Sequence, residues 1–163
     1  MSFGSEIAPE FDHEMATTRR VLERVPSDKG TWKPHHKSFA LGHLAQLLSW
    51  MPGWIDHAVR EDSLDLAQSP GYSFETTETL LKDFDARVKA AREALLSTSD
   101  EDFAKNWSLK RGSQVFMTMP KRTIVRQHLM HLSHHRGQMG VYLRLLDVPV
   151  PMVYGPTADE RMG

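Results

Sequence analysis

The chain has 163 residues, of which 40% are hydrophobic and 25% charged, and its 20 basic and 21 acidic side chains give a formal net charge of -1. This length suits one domain with a buried core, and the balanced charge argues against binding to nucleic acid or to an anionic membrane. The absence of cysteine excludes disulfides, thiolate metal ligands and a cysteine nucleophile. No apolar run approaches the roughly 20 residues of a membrane span, and no secretory signal pattern opens the sequence. We therefore expect a single cytoplasmic domain over residues 1–163.

The first predicted helix runs from Ile7 to Val25, where apolar residues recur every three or four positions, and Pro26 ends it. His13 and Glu14 lie in its first turns. We interpret both side chains as solvated helix surface.

The second predicted helix runs from Phe39 to Arg60, with Ser38 as its N-cap. Pro52 and Gly53 predict a kink or break within it. His43 lies in its first turns, at the edge of a broad apolar face.

Two irregular segments interrupt the helical pattern. Glu61 to Glu75 is polar and contains a predicted turn at Ser69-Pro70-Gly71. Between Ser97 and Pro120, weak period-two alternation around turn residues predicts a short hairpin or an irregular loop. The loop before the second helix carries His35 and His36, which are adjacent in extended chain and cannot both face one site, so we expect them at the surface.

The third helix is predicted from Thr76 or Thr77 to about Leu96, and the fourth from Lys121 to about Leu146. The tail from Asp147 to Gly163 contains three prolines and two glycines, so we expect an extended arm lying on the helices. Four amphipathic helices with long connections predict an all-α four-helix bundle with long crossover loops.

The histidines of the fourth helix carry the strongest chemical signal. Four of the nine histidines lie within residues 127–138, QHLMHLSHHRGQ. Residues three or four apart on a helix share a face, with about 5–6 Å between their Cβ atoms, so His131 and His135 can point into one small volume. His128 extends this stripe by one turn. Imidazole nitrogens placed this way suit a divalent transition metal, which binds nitrogen at about 2.0–2.1 Å.

The segment HLSHHRGQMGVYLRLLDVPVP resembles the fourth-helix motif of the DinB family, the DinB/YfiT-like metalloenzymes. The likeness covers nearly the whole chain and includes WKPHHKSFALGHLA, PGW, NWSL and YGPTADE. It implies an up-down-down-up bundle, commonly dimeric, whose metal is held by one histidine of the second helix and an HxxxH pair of the fourth. The pair falls on His131 and His135. The usual second-helix position is Leu47 here, and His43, one turn earlier on the same face, is the predicted third metal ligand.

Several assignments around this site stay open. His57, His128 or Asp12 could replace His43 as the third ligand. Arg136 follows the histidine pair and could contact an anionic substrate or a partner helix, although surface placement is the simpler interpretation.

Gln138 and Tyr142 also lie near the histidine stripe, as supports of the ligands or as pocket residues. For Tyr142 we favour packing in the core.

Three histidines leave coordination positions open, which is the pattern of catalytic metal sites. The resemblance implies a metal-dependent thiol transferase, isomerase or hydrolase-like enzyme, in which nickel, zinc or iron activates a thiol or water. Its partners would be a second copy of the chain, a small-molecule thiol and an electrophilic substrate. The alternative is a non-catalytic, stress-associated helical bundle with a degenerate or empty metal site, and Leu47 would mark that loss.

Overall fold

The computed structural model describes residues 2–68 and 70–162, in which five α-helices and three short strands lie along the chain. Ser69, part of the predicted Ser69-Pro70-Gly71 turn, lies outside the described residues. The helices are α1 (Phe3–Leu22), α2 (Leu41–Arg60), α3 (Thr77–Ser97), α4 (Asp100–Ala104) and α5 (Lys121–Leu145). The strands are β1 (Ser63–Asp65), β2 (Asn106–Arg111) and β3 (Gln114–Pro120).

The start of α2 differs from the prediction. Ser38 is not its N-cap, because the helix begins at Leu41 and has no side-chain cap. The backbone N–H groups of Leu41 and Gly42 donate instead to the carbonyl oxygens of Trp32 and Gly30, each at 2.9 Å. The preceding loop thus satisfies two donors that a capping residue would otherwise have to serve.

The first helix begins four residues earlier and ends three residues earlier than predicted, and the short helix α4 was not predicted, whereas the boundaries of α3 and α5 agree with the sequence pattern. Thr76 caps α3, since its hydroxyl accepts a hydrogen bond from the N–H of Thr79. The chain does not break at Pro52 and Gly53, because α2 continues through both residues.

A small three-stranded sheet corrects the all-α prediction. β2 and β3 form an antiparallel hairpin, so the hairpin expected between Ser97 and Pro120 is confirmed. Gly112 occupies the turn with φ of 58°, a left-handed conformation that glycine adopts without strain. β1 pairs with β2 in parallel from within the Glu61–Glu75 connection. The three residues of β1 are too few to show the alternating pattern of a strand, and their pairing partner lies far away in the sequence.

One hydrophobic core joins all five helices. Side chains that are fully buried in it include Phe11, Leu48, Phe84, Phe103 and Leu132. The fold is therefore mostly helical with a small sheet, and the up-down-down-up helix order stays a prediction. None of the described helices is long and apolar enough to cross a membrane.

The C-terminal arm lies on the helices, as expected. Val148 and Val150 pack against the core. The guanidinium of Arg20 in α1 donates to the Glu160 carboxylate at 2.6 Å and to the carbonyl of Met152 at 3.2 Å. These contacts hold residues 148–160 against α1.

Gly4 allows α1 to approach α3 closely, because a Cβ built on it would lie 1.9 Å from the carbonyl oxygen of Leu95. We expect Gly4→Ala to lower the free energy of unfolding by about 2 kcal/mol through this backbone clash. The clash should outweigh the helix propensity of alanine, which is better than that of glycine by about 1 kcal/mol. Gly137 in α5 is the matched control, since nothing lies within 4 Å of its added Cβ. Gly137→Ala should raise stability by about 0.5–1 kcal/mol in the same urea titration, and a stable Gly4→Ala would contradict the close packing.

Candidate metal centre

His131 and His135 converge on the face of α5, as their spacing predicts. Their Nε2 atoms are 2.9 Å apart, and the ring centroids are 4.7 Å apart. Two nitrogens bound to one ion at about 2.0–2.1 Å would be separated by roughly 2.9 Å at a right angle and by roughly 3.3 Å at the tetrahedral angle of zinc. The spacing of the pair is therefore within a few tenths of an ångström of that of two adjacent ligands.

Gln138 determines which nitrogen of His135 is free. Its Oε1 is 2.7 Å from Nδ1 of His135, and its Nε2 is 3.2 Å from Nε2 of His134. Since an amide oxygen can only accept, Nδ1 of His135 carries the proton and donates it, which leaves a lone pair on Nε2. His131 then donates its Nε2–H to that lone pair, at 2.9 Å. A metal-ligating histidine is commonly oriented in this way by a hydrogen bond from its other nitrogen.

Both imidazoles of the pair are neutral at pH 7. Burial lowers the pKa of His131, and the neighbouring charges of His135 and His134 lower it further. Burial also lowers the pKa of His135, against the opposing effect of its hydrogen bond to Gln138. His135 is only 8% exposed, whereas His131 is exposed. The pair thus has a protected side and an open side, which suits a metal with free coordination positions.

His43 lies apart from the pair. Its ring stacks on Tyr72 at 3.8 Å and lies tilted against Phe39 at 4.4 Å, measured between ring centroids. In residues 2–68 and 70–162, no group of three or more histidine, aspartate or glutamate side chains is placed to hold one metal ion. The structure brings two of the three predicted ligands together, and His43 as the third stays a prediction.

Two of the alternative third ligands are engaged elsewhere. Nε2 of His57 is 3.1 Å from the carbonyl oxygen of Ser63. Asp12 forms an ion pair with Arg92, at 2.8 Å between Oδ1 and Nε.

His128 differs from these two residues. Its Nε2 is buried and has no hydrogen-bond partner within the described part of the chain. The ring lies 5.9 Å from Trp54 and 6.3 Å from Trp107, between centroids. His128 therefore places a buried nitrogen without a hydrogen-bond partner one helical turn before His131.

Trp54 is a neighbour of the site that the histidine pattern did not reveal. Its ring centroid lies 6.0 Å from that of His131. It also lines a cleft of about 480 Å³ together with Trp50, Arg87 and Lys110, which we call the tryptophan cleft. The PGW motif at the middle of α2 was its signal in the sequence, and only the packing of α2 on α5 shows what that tryptophan contacts.

Arg136 is buried rather than at the surface, so its predicted placement is wrong. Its side chain is 2% exposed and pairs with the Glu14 carboxylate at 2.6 Å. It also donates to the hydroxyl of Tyr154 at 2.6 Å. Glu14 is likewise not solvated surface, being 14% exposed, whereas His13 is exposed as predicted. The two charged partners lie 122 residues apart, and no local pattern pairs them.

Tyr142 packs in the core, as favoured from the sequence. It is 9% exposed, its hydroxyl donates to the carbonyl oxygen of Phe39 at 3.2 Å, and its ring meets Trp32 edge-on at 5.6 Å. This packing joins α5 to the loop that precedes α2.

The comparisons with known proteins agree with this fold. The sequence model of the DinB family matches residues 1–162. The chain therefore belongs to the DinB family. Among curated proteins it is similar to the uncharacterized protein YrdA of Bacillus subtilis, with 40% identity over 42 residues. That match spans 26% of this chain and 25% of YrdA.

Solved structures show the same fold at low sequence identity. A DinB-like protein from Bacillus cereus superposes with a TM-score of 0.70 at 20% identity, over 90% of this chain and 94% of that one. The DinB-like protein YjoA from Bacillus subtilis gives 0.72 at 16% identity, over 96% and 99%. A mycothiol-dependent maleylpyruvate isomerase gives 0.59 at 13% identity, over 86% of this chain and 63% of that chain.

His128 should make the stability of the fold depend on pH. Burial lowers its pKa to about 4 in the folded chain, whereas an unfolded histidine titrates near 6.5. Its contribution is therefore complete above about pH 6.5 and is lost as the pH falls toward 4, because only the unfolded chain takes up the proton. We expect this residue alone to account for about 2 kcal/mol of the stability lost between pH 7 and pH 5.

Urea unfolding at pH 7 and pH 5 measures this effect. His128→Leu should lose about 2 kcal/mol less than the wild-type protein over that interval. His36→Leu in the exposed loop is the control and should behave as wild type. Equal pH dependence in all three proteins would contradict a buried, neutral His128.

Arg136→Met should lower the free energy of unfolding by about 3 kcal/mol, because it leaves the Glu14 carboxylate buried without its cation. Glu14→Gln in the same chain should recover part of this loss. Arg126→Met, also in α5, is the control, since its ion pair with Glu6 is exposed and should be worth less than about 1 kcal/mol. Chemical denaturation of the four proteins compares them, and similar losses for Arg126→Met and Arg136→Met would refute the buried pair.

Proposed function

We propose that this protein is a metal-dependent enzyme in which His131 and His135 hold a divalent transition metal, with His43 as the third ligand. The observation that carries the proposal is the 2.9 Å separation of two Nε2 atoms on neutral imidazoles. Gln138 also accepts a hydrogen bond from Nδ1 of His135 and thereby fixes the orientation of its ring. Two histidines that only form a hydrogen bond with each other at the surface would not need this second interaction. Nickel, zinc and iron all accept imidazole ligands, and the site distinguishes them only through geometry.

We further propose that the reaction is a thiol-dependent transfer or isomerisation. When bound, a divalent metal supplies a Lewis acid that makes a thiol or a water a stronger nucleophile at neutral pH. The thiol must be a separate small molecule, since the chain has no cysteine. The structural similarity to a mycothiol-dependent isomerase supports this class of reaction.

The tryptophan cleft is the proposed place for the substrate. Trp54 lines this cleft and its ring centroid lies 6.0 Å from that of His131, so this residue links the cleft to the pair. Trp50 and Trp54 offer apolar ring faces, and Lys110 offers a cation beside the carboxylate of Asp65, whereas Arg87 is paired with Asp83. The two tryptophan rings favour an electrophile with an apolar part.

A second candidate function is a non-catalytic helical bundle whose metal site has been lost. One observation favours it: Leu47, at the position of the usual family ligand, is 5% exposed and packs in the core. The homodimer implied by the family resemblance belongs to both proposals and stays a prediction.

Metal analysis distinguishes the two functions. We expect untagged protein, incubated with zinc and then dialysed at pH 7, to retain the metal, and His131→Ala or His135→Ala to lose most of it. The far-UV helix signal should persist in both variants. Elemental analysis by mass spectrometry gives the stoichiometry, with His36→Ala as a control that retains wild-type content.

Metal retention should fall as the pH is lowered through the titration of the pair, because protonated imidazoles cannot coordinate. Wild-type protein holding less than about a tenth of an equivalent of nickel, zinc or iron would overturn the metalloenzyme proposal and favour the non-catalytic bundle.

A further inference from the structure

We infer that Tyr72 is a positioning residue that holds His43 in a stacked position, and that His43 must leave this stack to serve as a metal ligand. This inference rests on the proposed metal site and adds a mechanism for its third ligand. It concerns the segment from Tyr72 to Phe74, which precedes α3.

The ring of Tyr72 fills a space between two rings of α2. His43 and Trp50 are seven residues apart, which is about two helical turns, so they lie on one face of the helix. Tyr72 stacks on His43 at 3.8 Å and 28° and on Trp50 at 4.9 Å and 21°. A residue of the connection, rather than of the helix, therefore determines where the imidazole of His43 rests.

Phe39 contacts His43 on another side. Its ring centroid is 4.4 Å from that of His43 and 6.3 Å from that of His135, so this ring lies near both histidines. To join the pair, the imidazole of His43 must give up its stack on Tyr72, because no group of three histidine, aspartate or glutamate side chains that could hold a metal forms among the described residues. The stacked and the metal-binding positions of His43 are thus alternatives.

The segment that carries Tyr72 is seated by a small number of contacts. A Cβ built on Gly42 would lie 2.7 Å from the Phe74 side chain, and one built on Gly30 would lie 2.8 Å from it, so Phe74 rests directly on these two glycines. The N–H of Ser73 donates to Oε1 of Gln46 at 2.7 Å. Tyr72 itself is 39% exposed. Its ring can therefore swing outward without opening the hydrophobic core.

This competition has a measurable consequence. A ligand that binds only one of two conformations has an affinity reduced by the fraction of molecules in that conformation. An aromatic pair of this kind is worth about 0.5–1.5 kcal/mol, so removing it should tighten metal binding by roughly two- to tenfold.

Zinc titration against a fluorescent chelator tests the inference at pH 7. We expect Tyr72→Ala to bind zinc roughly two- to tenfold more tightly than wild type. Tyr72→Phe keeps the stack and should bind as wild type. Phe116→Ala removes an aromatic ring from the exposed hairpin and is the matched control, also expected to bind as wild type.

The gain must depend on His43. In a His43→Ala background, Tyr72→Ala should bring no further change in zinc affinity. Hydrogen exchange provides a second measurement, because saturating zinc should accelerate exchange in residues 72–74 of the wild-type protein.

Equal affinities of Tyr72→Ala and wild type would overturn the inference, and so would a gain that persists without His43. These results leave the proposed function intact when wild-type binding still depends on His131 and His135. Absence of zinc binding in both wild type and Tyr72→Ala would overturn the inference and the proposed function together.

Discussion

The buried ion pair between Arg136 and Glu14 is the constraint on which the geometry of the site depends. The guanidinium of Arg136 also donates to Thr18 and to the backbone carbonyl of Glu14, so α5 is fixed against α1 at this point. Successive residues of a helix are rotated by about 100°, and His135 directly precedes Arg136. Turning Arg136 toward α1 therefore turns His135 away from it. A charged side chain that coordinates nothing thus sets the direction of the predicted ligands.

The same pair ties the C-terminal arm to the helices. The Tyr154 hydroxyl donates to the Glu14 carboxylate at 2.9 Å and accepts from Arg136. Removing a charged group from water is costly, and a buried pair is stable only when its remaining hydrogen-bonding positions are filled. The arm provides one of these partners. The C-terminal arm therefore stabilises the ion pair of Arg136 as well as covering the core.

The two sides of α5 have different characters as a result. Toward α1 lies a satisfied ionic network, and around His131 and His135 lie mainly rings: Phe39, Trp54 and, one contact further, His43 with Tyr72. Burial lowers the pKa of both imidazoles and so favours their neutral form. Phe39 lies near both His43 and His135, and the ring of His43 stacks on Tyr72.

The sequence by itself determined the features that depend on local spacing. The four long helices and the hairpin follow from periodicity and turn residues, and the convergence of His131 and His135 follows from the pitch of one helix. The tertiary structure decided what each helix face meets. It placed Arg136 and Glu14 together, paired β1 with β2, and put Tyr72 against His43. Each of these contacts joins residues that are distant in the chain. They arise when whole helices and strands pack together, and a short stretch of sequence does not show which elements will meet.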